Sequence, residues 1–403
     1  MIARSPTLGQ ILPPPTERYT VLGWLRRNLF STWYNALLTA LTLALVGLIL
    51  APTWRWLRTE ARWNVIADNF GLFMKGQYPL DQVWRLWLCL HLIALSTGLM
   101  WGVFVRRREG VGWVLLLVPL VSGIGLLVGG VGSGWQLLLM AGLGGGAAWV
   151  GSRAASTLRR PTLILFLLTF PLCVLFVRGL DAIGVMPRVP TNLWGGLLLA
   201  LLITVVGIVA SFPLGVLLAF GRRSRLPAIR TLSVIYIEFI RGVPLITLLF
   251  MGQVMLPYFL PPGLVVDRVI RAMVAVILFS AAYMAENVRG GLQAIPRGQY
   301  EAASAIGLNS LQTTLFIILP QALRAVIPVL VGQFIGLFKD TSLVALVGLL
   351  DLVGIARGVL ANPAYIGRQI EVYAFIAIVY WLFSYGMAYA SHRLEKALGV
   401  GQR

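Results

Sequence analysis

The run Trp194-Gly195-Gly196-Leu197-Leu198-Leu199-Ala200-Leu201-Leu202-Ile203-Thr204-Val205-Val206-Gly207-Ile208-Val209-Ala210-Ser211-Phe212-Pro213-Leu214-Gly215-Val216-Leu217-Leu218-Ala219-Phe220 contains no charged residue. It is longer than the roughly 20 residues that carry a helix across about 30 Å of hydrocarbon. Inside lipid every backbone N–H and C=O must find a partner within its own segment, so the run is helical. Outward from it, similar runs recur at 33–51, 86–105, 111–131, 135–150, 161–180, 231–256, 271–290, 321–345 and 372–391. The pattern predicts an all-α integral membrane protein with about ten transmembrane helices.

The composition agrees. Of 403 residues, 58% are hydrophobic and only 12% are charged. A soluble chain of this size carries about twice that charge. The net charge of +19 comes mostly from Arg in short loops between apolar runs, as in cytoplasmic loops. Binding to nucleic acid is the poorer reading of it. Cys89 and Cys173 lie inside apolar runs and read as small core residues. His91 and His392 are far apart, so no metal site is expected.

Arg and Lys placement sets the orientation. Arg26-Arg27, Arg106-Arg107-Arg108, Arg153 with Arg159-Arg160, and Arg222-Arg223 with Arg225 and Arg230 fall in alternate loops; Arg393, Lys396 and Arg403 fall in the tail. This places both termini in the cytoplasm. The loop 52–85 disagrees, with Arg55, Arg58, Arg62, Lys75 and Arg85, but it also holds Glu60, Asp68, Asp81, Trp54, Trp56 and Trp63. An external segment lying partly in the interface fits that mixture.

The chain divides near residue 190, into a membrane extension over 1–190, with about five helices, and a second part over 191–403. In the first part, the run from Gly142 to Ala147 loosely matches a dinucleotide fingerprint. No strand can precede it inside a span, so helix packing through small residues is the better reading.

The second part carries the informative loop, 295–320. Pro296 and Gly298 punctuate its start, and small helix-favouring residues run from Tyr300 to Ile306. Gly307 stands at a plausible helix C-cap. A further helical stretch, Ser310 to Ile318, is expected to end at Pro320. A short helix with Ala302, Ala303 and Ala305 lets a partner approach closely, and Glu301 can accept charge-assisted hydrogen bonds. An ordinary amphipathic connector is the alternative.

The order Glu301-Ala302-Ala303, three residues, Gly307, nine residues, then Ile317, Leu319 and Pro320 resembles the permease signature of bacterial ABC importers. The resemblance implies that this helix couples to an ATPase subunit. Flanking motifs narrow the class. Phe239-Ile240-Arg241-Gly242-Val243-Pro244-Leu245 resembles the F-R-G-T-P-L stretch of amino-acid permeases, with one inserted residue and Val at the Thr position. Ala282-Tyr283-Met284-Ala285-Glu286 with Arg289-Gly290-Gly291-Leu292, Pro320-Gln321-Ala322-Leu323-Arg324, and Lys339-Asp340-Thr341-Ser342-Leu343 resemble further motifs of the polar amino-acid uptake subfamily. The resemblance covers about 191 to 398. It implies a five-helix permease core over 191–403, preceded by an extension of the kind found in general amino-acid permeases of Gram-negative bacteria and cyanobacteria. It also implies the bacterial cytoplasmic membrane as location.

Glu238, Arg241, Glu286, Arg289, Lys339 and Asp340 are costly near hydrocarbon unless paired or wet. Glu238 with Arg241, and Glu286 with Arg289, are spaced i, i+3 on one helix face. Two readings stand: pairing near the headgroup boundary, or a gate on a translocation path lined by Arg241, Glu286, Arg289, Lys339, Asp340, Thr341 and Ser342. Pro213, Pro244 and Pro257 are candidate kinks or terminators.

A phosphate-binding loop of the form G-x-x-x-x-G-K-[ST] needs a lysine after glycine. The lysines are Lys75, Lys339 and Lys396, and none fits. The chain is therefore not read as an enzyme, and no cofactor is expected on it. The resemblance implies that ATP and Mg sit on a cytoplasmic ATPase dimer. It also implies a second permease subunit, identical or homologous, and a periplasmic amino-acid-binding protein. Two other classes compete: an ion-coupled secondary transporter, which predicts inverted repeats with midplane ionisable residues in both halves, and a non-transporting membrane anchor, which leaves the loop at Glu301 unexplained.

Overall fold

The computed structural model describes residues 20–104, 122–125, 130, 132, 134–181, 184 and 186–398. Most of the expected span 111–131 lies outside them. Contacts divide the chain into two compact units, Met1–Arg62 and Trp63–Arg403.

The first unit holds two helices. In α1 (Val21–Leu29) the N-cap Thr20 accepts from Gly23 N; in α2 (Trp33–Thr59) Thr32 accepts from Asn35 N. α2 buries none of its residues. A helix that is apolar all round and unburied is made for lipid contact.

The second unit contains α3 (Asn64–Lys75), α4 (Trp84–Phe104), α5 (Gly134–Arg153) and α6 (Ala155–Arg178). It continues with α7 (Gly196–Arg222), α8 (Pro227–Gly242) and α9 (Leu245–Phe259). It ends with α10 (Arg268–Gln293), α11 (Arg297–Ala305), α12 (Ser310–Val347), α13 (Leu352–Leu360) and α14 (Gln369–Leu398). Among the described residues, 7 helices are long and apolar enough to span a membrane, or 8 when α8 and α9 count as one bent span. α5 adds a helix of 20 residues where the span 135–150 is expected. Over 191–403 the described spans are five: α7, α8 with α9, α10, α12 and α14.

Three expectations change. The span expected over 231–256 is broken, with α8 and α9 meeting at 103°. Pro244 has no N–H to continue α8, and its ring forces Val243 into extended backbone at φ −111, ψ 133. Pro213, by contrast, lies inside the unbroken α7. The stretch from Ser310 does not end at Pro320; α12 runs through it for 38 residues. A π turn over Thr313–Ile318 precedes Pro320 and widens the helix where the proline ring would meet the carbonyl one turn back. Finally, 52–85 is mostly helical: α2 continues to Thr59, and α3 buries Phe73 completely against the core, where its ring meets Phe375 at 5.2 Å.

Small residues set the closest helix contacts. A β-carbon on Gly98 of α4 would lie 2.2 Å from the Gly144 carbonyl oxygen of α5, and one on Gly102 would lie 2.2 Å from that of Ala148. Within the run 142–147, Gly144 and Ala147 are buried, so helix packing through small residues holds for these two. Cys89 and Cys173 are free and buried, with Cys89 Sγ 3.6 Å from the Cys173 carbonyl oxygen. Among the described residues two apolar clusters form the interior. The larger joins α3, α4 and α6 to the core around Phe73, Trp87, Leu199 and Phe338. The smaller joins α7, α8, α10 and α12 around Ile237, Met284, Val288, Ile318 and Ala322.

Candidate coupling helix and charged junction

α11 starts at Pro296, its N-cap, and ends in a Schellman turn. Leu308 N donates to Ala303 O at 3.1 Å and Gly307 N donates to Ser304 O at 3.0 Å. Gly307 takes φ +80, a left-handed conformation that costs glycine nothing and other residues much more. Its predicted role as a helix terminator therefore holds. Asn309 then starts α12 with a capping box: Gln312 N donates to Asn309 Oδ1 at 2.9 Å, and Asn309 N donates to Gln312 Oε1 at 3.0 Å.

The two faces of α11 differ. Ala303 is 3% exposed and Tyr300 packs on the smaller apolar cluster. Gln321 Nε2 donates to Gln299 Oε1 at 3.1 Å, tying α11 to α12. Glu301 and Ala302 face outward, beside exposed Ile306, Leu311 and Phe316. Ile317 and Leu319 are half-buried at the base and Pro320 is exposed. So of the signature residues, Ala303 is turned into the helix bundle, while Glu301 and Ala302 are open to another molecule.

A few residues inward sits a five-member ion cluster. Arg222 Nη1 lies 2.7 Å from Glu238 Oε1 and 2.8 Å from Glu286 Oε1. Arg289 grips Glu286 through Nε and Nη2 at 2.8–3.1 Å. Arg241 Nη1 stands 3.8 Å from Glu286 Oε2 and 3.9 Å from Glu238 Oε2. Glu286 is thus the hub, and the cluster ties together the ends of α7, α8 and α10. The two i, i+3 pairs read from the sequence are both present. Their joining residue, Arg222, was hidden among the loop arginines used for orientation. The only available signal was its position as the last residue of a span.

Lys339, Asp340, Thr341 and Ser342 lie elsewhere, where α12 tightens from α-helix into a 3-10 turn. Lys339 is exposed, Asp340 and Ser342 are half-buried, and Thr341 is buried with its hydroxyl donating to Phe338 O at 2.7 Å. No described ion pair joins Lys339 or Asp340 to the cluster. Between the two levels, Asn287 Nδ2 donates to Gln333 Oε1 at 2.7 Å and Gln333 Nε2 donates to Ser280 O at 2.9 Å. This polar ladder between α10 and α12 was not read from the sequence, because neutral amides carry no hydropathy signal strong enough to interrupt a span.

Asp351 was missed as well. It is fully buried and caps α13, with Oδ1 accepting from Gly354 N at 3.0 Å and Oδ2 accepting from the Tyr380 hydroxyl at 3.3 Å. Burial pushes its carboxyl up to about 6.

Residues 211–399 match the family model described as "binding-protein-dependent transport system inner membrane component". The chain is 40% identical over 94% of its length to the inner membrane amino-acid ABC transporter permease protein YhdY of Escherichia coli, covering 93% of that protein. It is also 40% identical over 96% of its length to the glutamate/glutamine/aspartate/asparagine transport system permease protein BztC of Rhodobacter capsulatus, covering 95% of it. The chain belongs to this family of ABC transporter permeases. A third member, the probable glutamine ABC transporter permease protein GlnP of Bacillus subtilis, is 34% identical over 50% of this chain and 92% of its own length.

The permease family match takes in the whole charged cluster, α11 and the polar ladder, and it starts within α7. Members of the family are transport subunits that work with ATPase and substrate-binding partners. The geometry assigned to α11 is therefore that of a helix locked inward and open outward in a multi-span membrane protein.

Proposed function

We propose that this chain is the permease subunit of an ATP-driven importer of polar amino acids, and that α11 is the point where a separate ATPase presses on it. One observation carries the reading: Glu301 and Ala302 are presented outward on a helix whose other side, through Ala303 and Tyr300, is keyed into the apolar cluster joining α7, α8, α10 and α12. A push on the outer face reaches four membrane helices through packed side chains, which transmit displacement because they cannot compress. The full spacing from Glu301 to Pro320 supports it.

On this reading ATP and Mg are held by a cytoplasmic ATPase dimer, and α11 and both termini face the cytoplasm. A second permease, identical or homologous, completes the path. A periplasmic binding protein delivers the solute. Residues 1–190 form an extension on a core over 191–403, a division supported by the GlnP relative that spans only half of this chain. An amino-acid substrate is supported by the names of the two relatives that run the length of the chain, and a polar one by BztC. The path is lined from the Glu286 cluster towards Thr341 and Ser342, along the side of α12 that carries Gln333.

The test is reconstitution with the ATPase and binding protein in vesicles, measuring labelled amino-acid uptake and ATP hydrolysis together. Glu301→Lys and Gly307→Asp are expected to insert normally and to separate hydrolysis from uptake. Full uptake in both variants would overturn the docking role of α11.

A further inference from the structure

At the end of α10 opposite α11, about 39 Å away by helix rise, lies a cavity of about 750 Å³ between α6 and α10. Three arginines line it: Arg178, Arg188 and Arg268. One carboxylate, Asp267, lines it too, but its oxygens are taken. Oδ1 accepts from Val269 N at 2.9 Å and Ile270 N at 3.2 Å, and Oδ2 accepts from the Thr191 hydroxyl. Arg268 donates through Nη2 to Val347 O at 3.0 Å and Gly348 O at 3.3 Å, which fixes the guanidinium and leaves its other donors. No described ion pair involves Arg178, Arg188 or Arg268.

A fourth cation stands behind the wall. Arg85 is 0% exposed. It donates both Nη groups to Pro187 O at 3.0 Å, one residue from Arg188. Its Nε has no partner among the described atoms, and no described ion pair neutralises it. A buried cation is poorly screened, so it adds to the positive potential of the cavity.

The lining also has an ordered polarity. On α6, Val174 sits one turn below Arg178; on α10, Ile270 and Met273 follow Arg268 into the membrane. Both walls are cationic at the mouth and apolar further down. A soluble anion gains nothing from the apolar part. A phosphodiester with acyl chains beneath it matches both.

We propose that this cavity binds the headgroup of an anionic phospholipid, with an acyl chain along Val174 and Met273. The lipid fills the seam between α6 and the permease core, so it is a structural ligand at the face remote from the ATPase. The inference is independent of the solute carried.

The experiment uses the full chain purified in detergent and titrated with phosphatidylglycerol, phosphatidylcholine or glycerol phosphate, with bound lipid counted by native mass spectrometry and thermal unfolding followed in parallel. Phosphatidylglycerol is expected to be retained and to raise the unfolding temperature, and to bind about tenfold more tightly than phosphatidylcholine. The double variant Arg178→Gln/Arg188→Gln should lose that preference. Arg188→Gln alone, an exposed side chain whose backbone is held by Asp181 at 3.0 Å, should fold normally and lose part of it. Equal binding of the two lipids, or an unchanged preference in Arg188→Gln, would overturn the proposal. Equal stabilisation by glycerol phosphate would overturn it in favour of a soluble-anion site.

Discussion

Arg222, the last residue of α7, places Nη1 2.8 Å from Oε1 of Glu286 in α10. That contact makes Glu286 the shared anion of three arginines, with Glu238 the only other carboxylate in the cluster. The junction therefore holds one excess positive charge and is intolerant of losing Glu286. Removing one partner of a half-buried pair leaves the others unpaired, and that residue of charge is the main cost.

Glu286→Gln is expected to destabilise the purified permease by about 2 kcal/mol, below the cost at a fully buried pair because the cluster is partly solvated. Arg222→Gln should cost less, since Arg241 and Arg289 still serve Glu286. A double-mutant cycle on thermal unfolding in detergent should return a coupling of about 1 kcal/mol between the two residues. Additive losses would dismiss the junction as a stabilising unit. A loss of uptake far beyond the loss of folded protein would favour the gate reading of Arg241 and Glu286 over simple pairing.

Gly307 allows a cleaner test, because a β-carbon there meets nothing within 4 Å. Any effect of substitution is then a backbone effect. With φ at +80, alanine costs about 1–2 kcal/mol, asparagine less, and a β-branched residue more. Uptake in vesicles is expected to fall in the order Gly307→Asn, Gly307→Ala, Gly307→Val, with membrane insertion unchanged. Equal uptake across the series would show that the Schellman turn has no part in coupling.

These residues also mark what the sequence could and could not disclose. The spans were legible because the bilayer fixes a minimum apolar length, and Gly307 was legible because a helix end favours a residue free of left-handed strain. The bend at Val243-Pro244 was legible only as a candidate kink at Pro244; its angle was not, since hydropathy is summed along the chain and carries no direction. Pro320 misled for a related reason: proline ends a helix only if the preceding turn cannot widen, and the π turn at Thr313–Ile318 widens it. Arg222 was missed because a loop arginine and a cluster arginine look alike until three helices bring their ends together. Asp351 was missed because a capping carboxylate between two spans has the same composition as any polar loop residue.

The contact between Gly98 and Gly144 predicts a contrast within one helix pair. A methyl group on Gly98 would come within 2.2 Å of a backbone oxygen, so α4 and α5 must move apart. Gly98→Ala is expected to cost about 2 kcal/mol. Gly142 in α5 faces open space, so Gly142→Ala should be neutral or stabilise by up to about 1 kcal/mol through helix propensity. Thermal unfolding of the two variants side by side decides the matter; similar melting temperatures would remove the close approach as a determinant of this packing.

Asp351 predicts a pH dependence with a definite sign. Its carboxyl titrates at about 6 in the fold against an ordinary 3.8, so between those values the folded chain holds a proton that the unfolded chain has released. Stability contributed by this group is therefore greatest at low pH and falls as pH rises from about 4 to about 6, by on the order of 3 kcal/mol. The opposite slope would come from a carboxylate held below its ordinary range. Asn caps helices about as well as Asp: its Oδ1 still accepts from Gly354 N, and its Nδ2 donates to the Tyr380 hydroxyl oxygen where the carboxylate accepted from it. Asp351→Asn should therefore flatten the pH slope and leave the protein at least as stable at pH 7.5, as read by thermal unfolding at pH 4.5 and 7.5. An unchanged slope in the variant would assign the titration to another group.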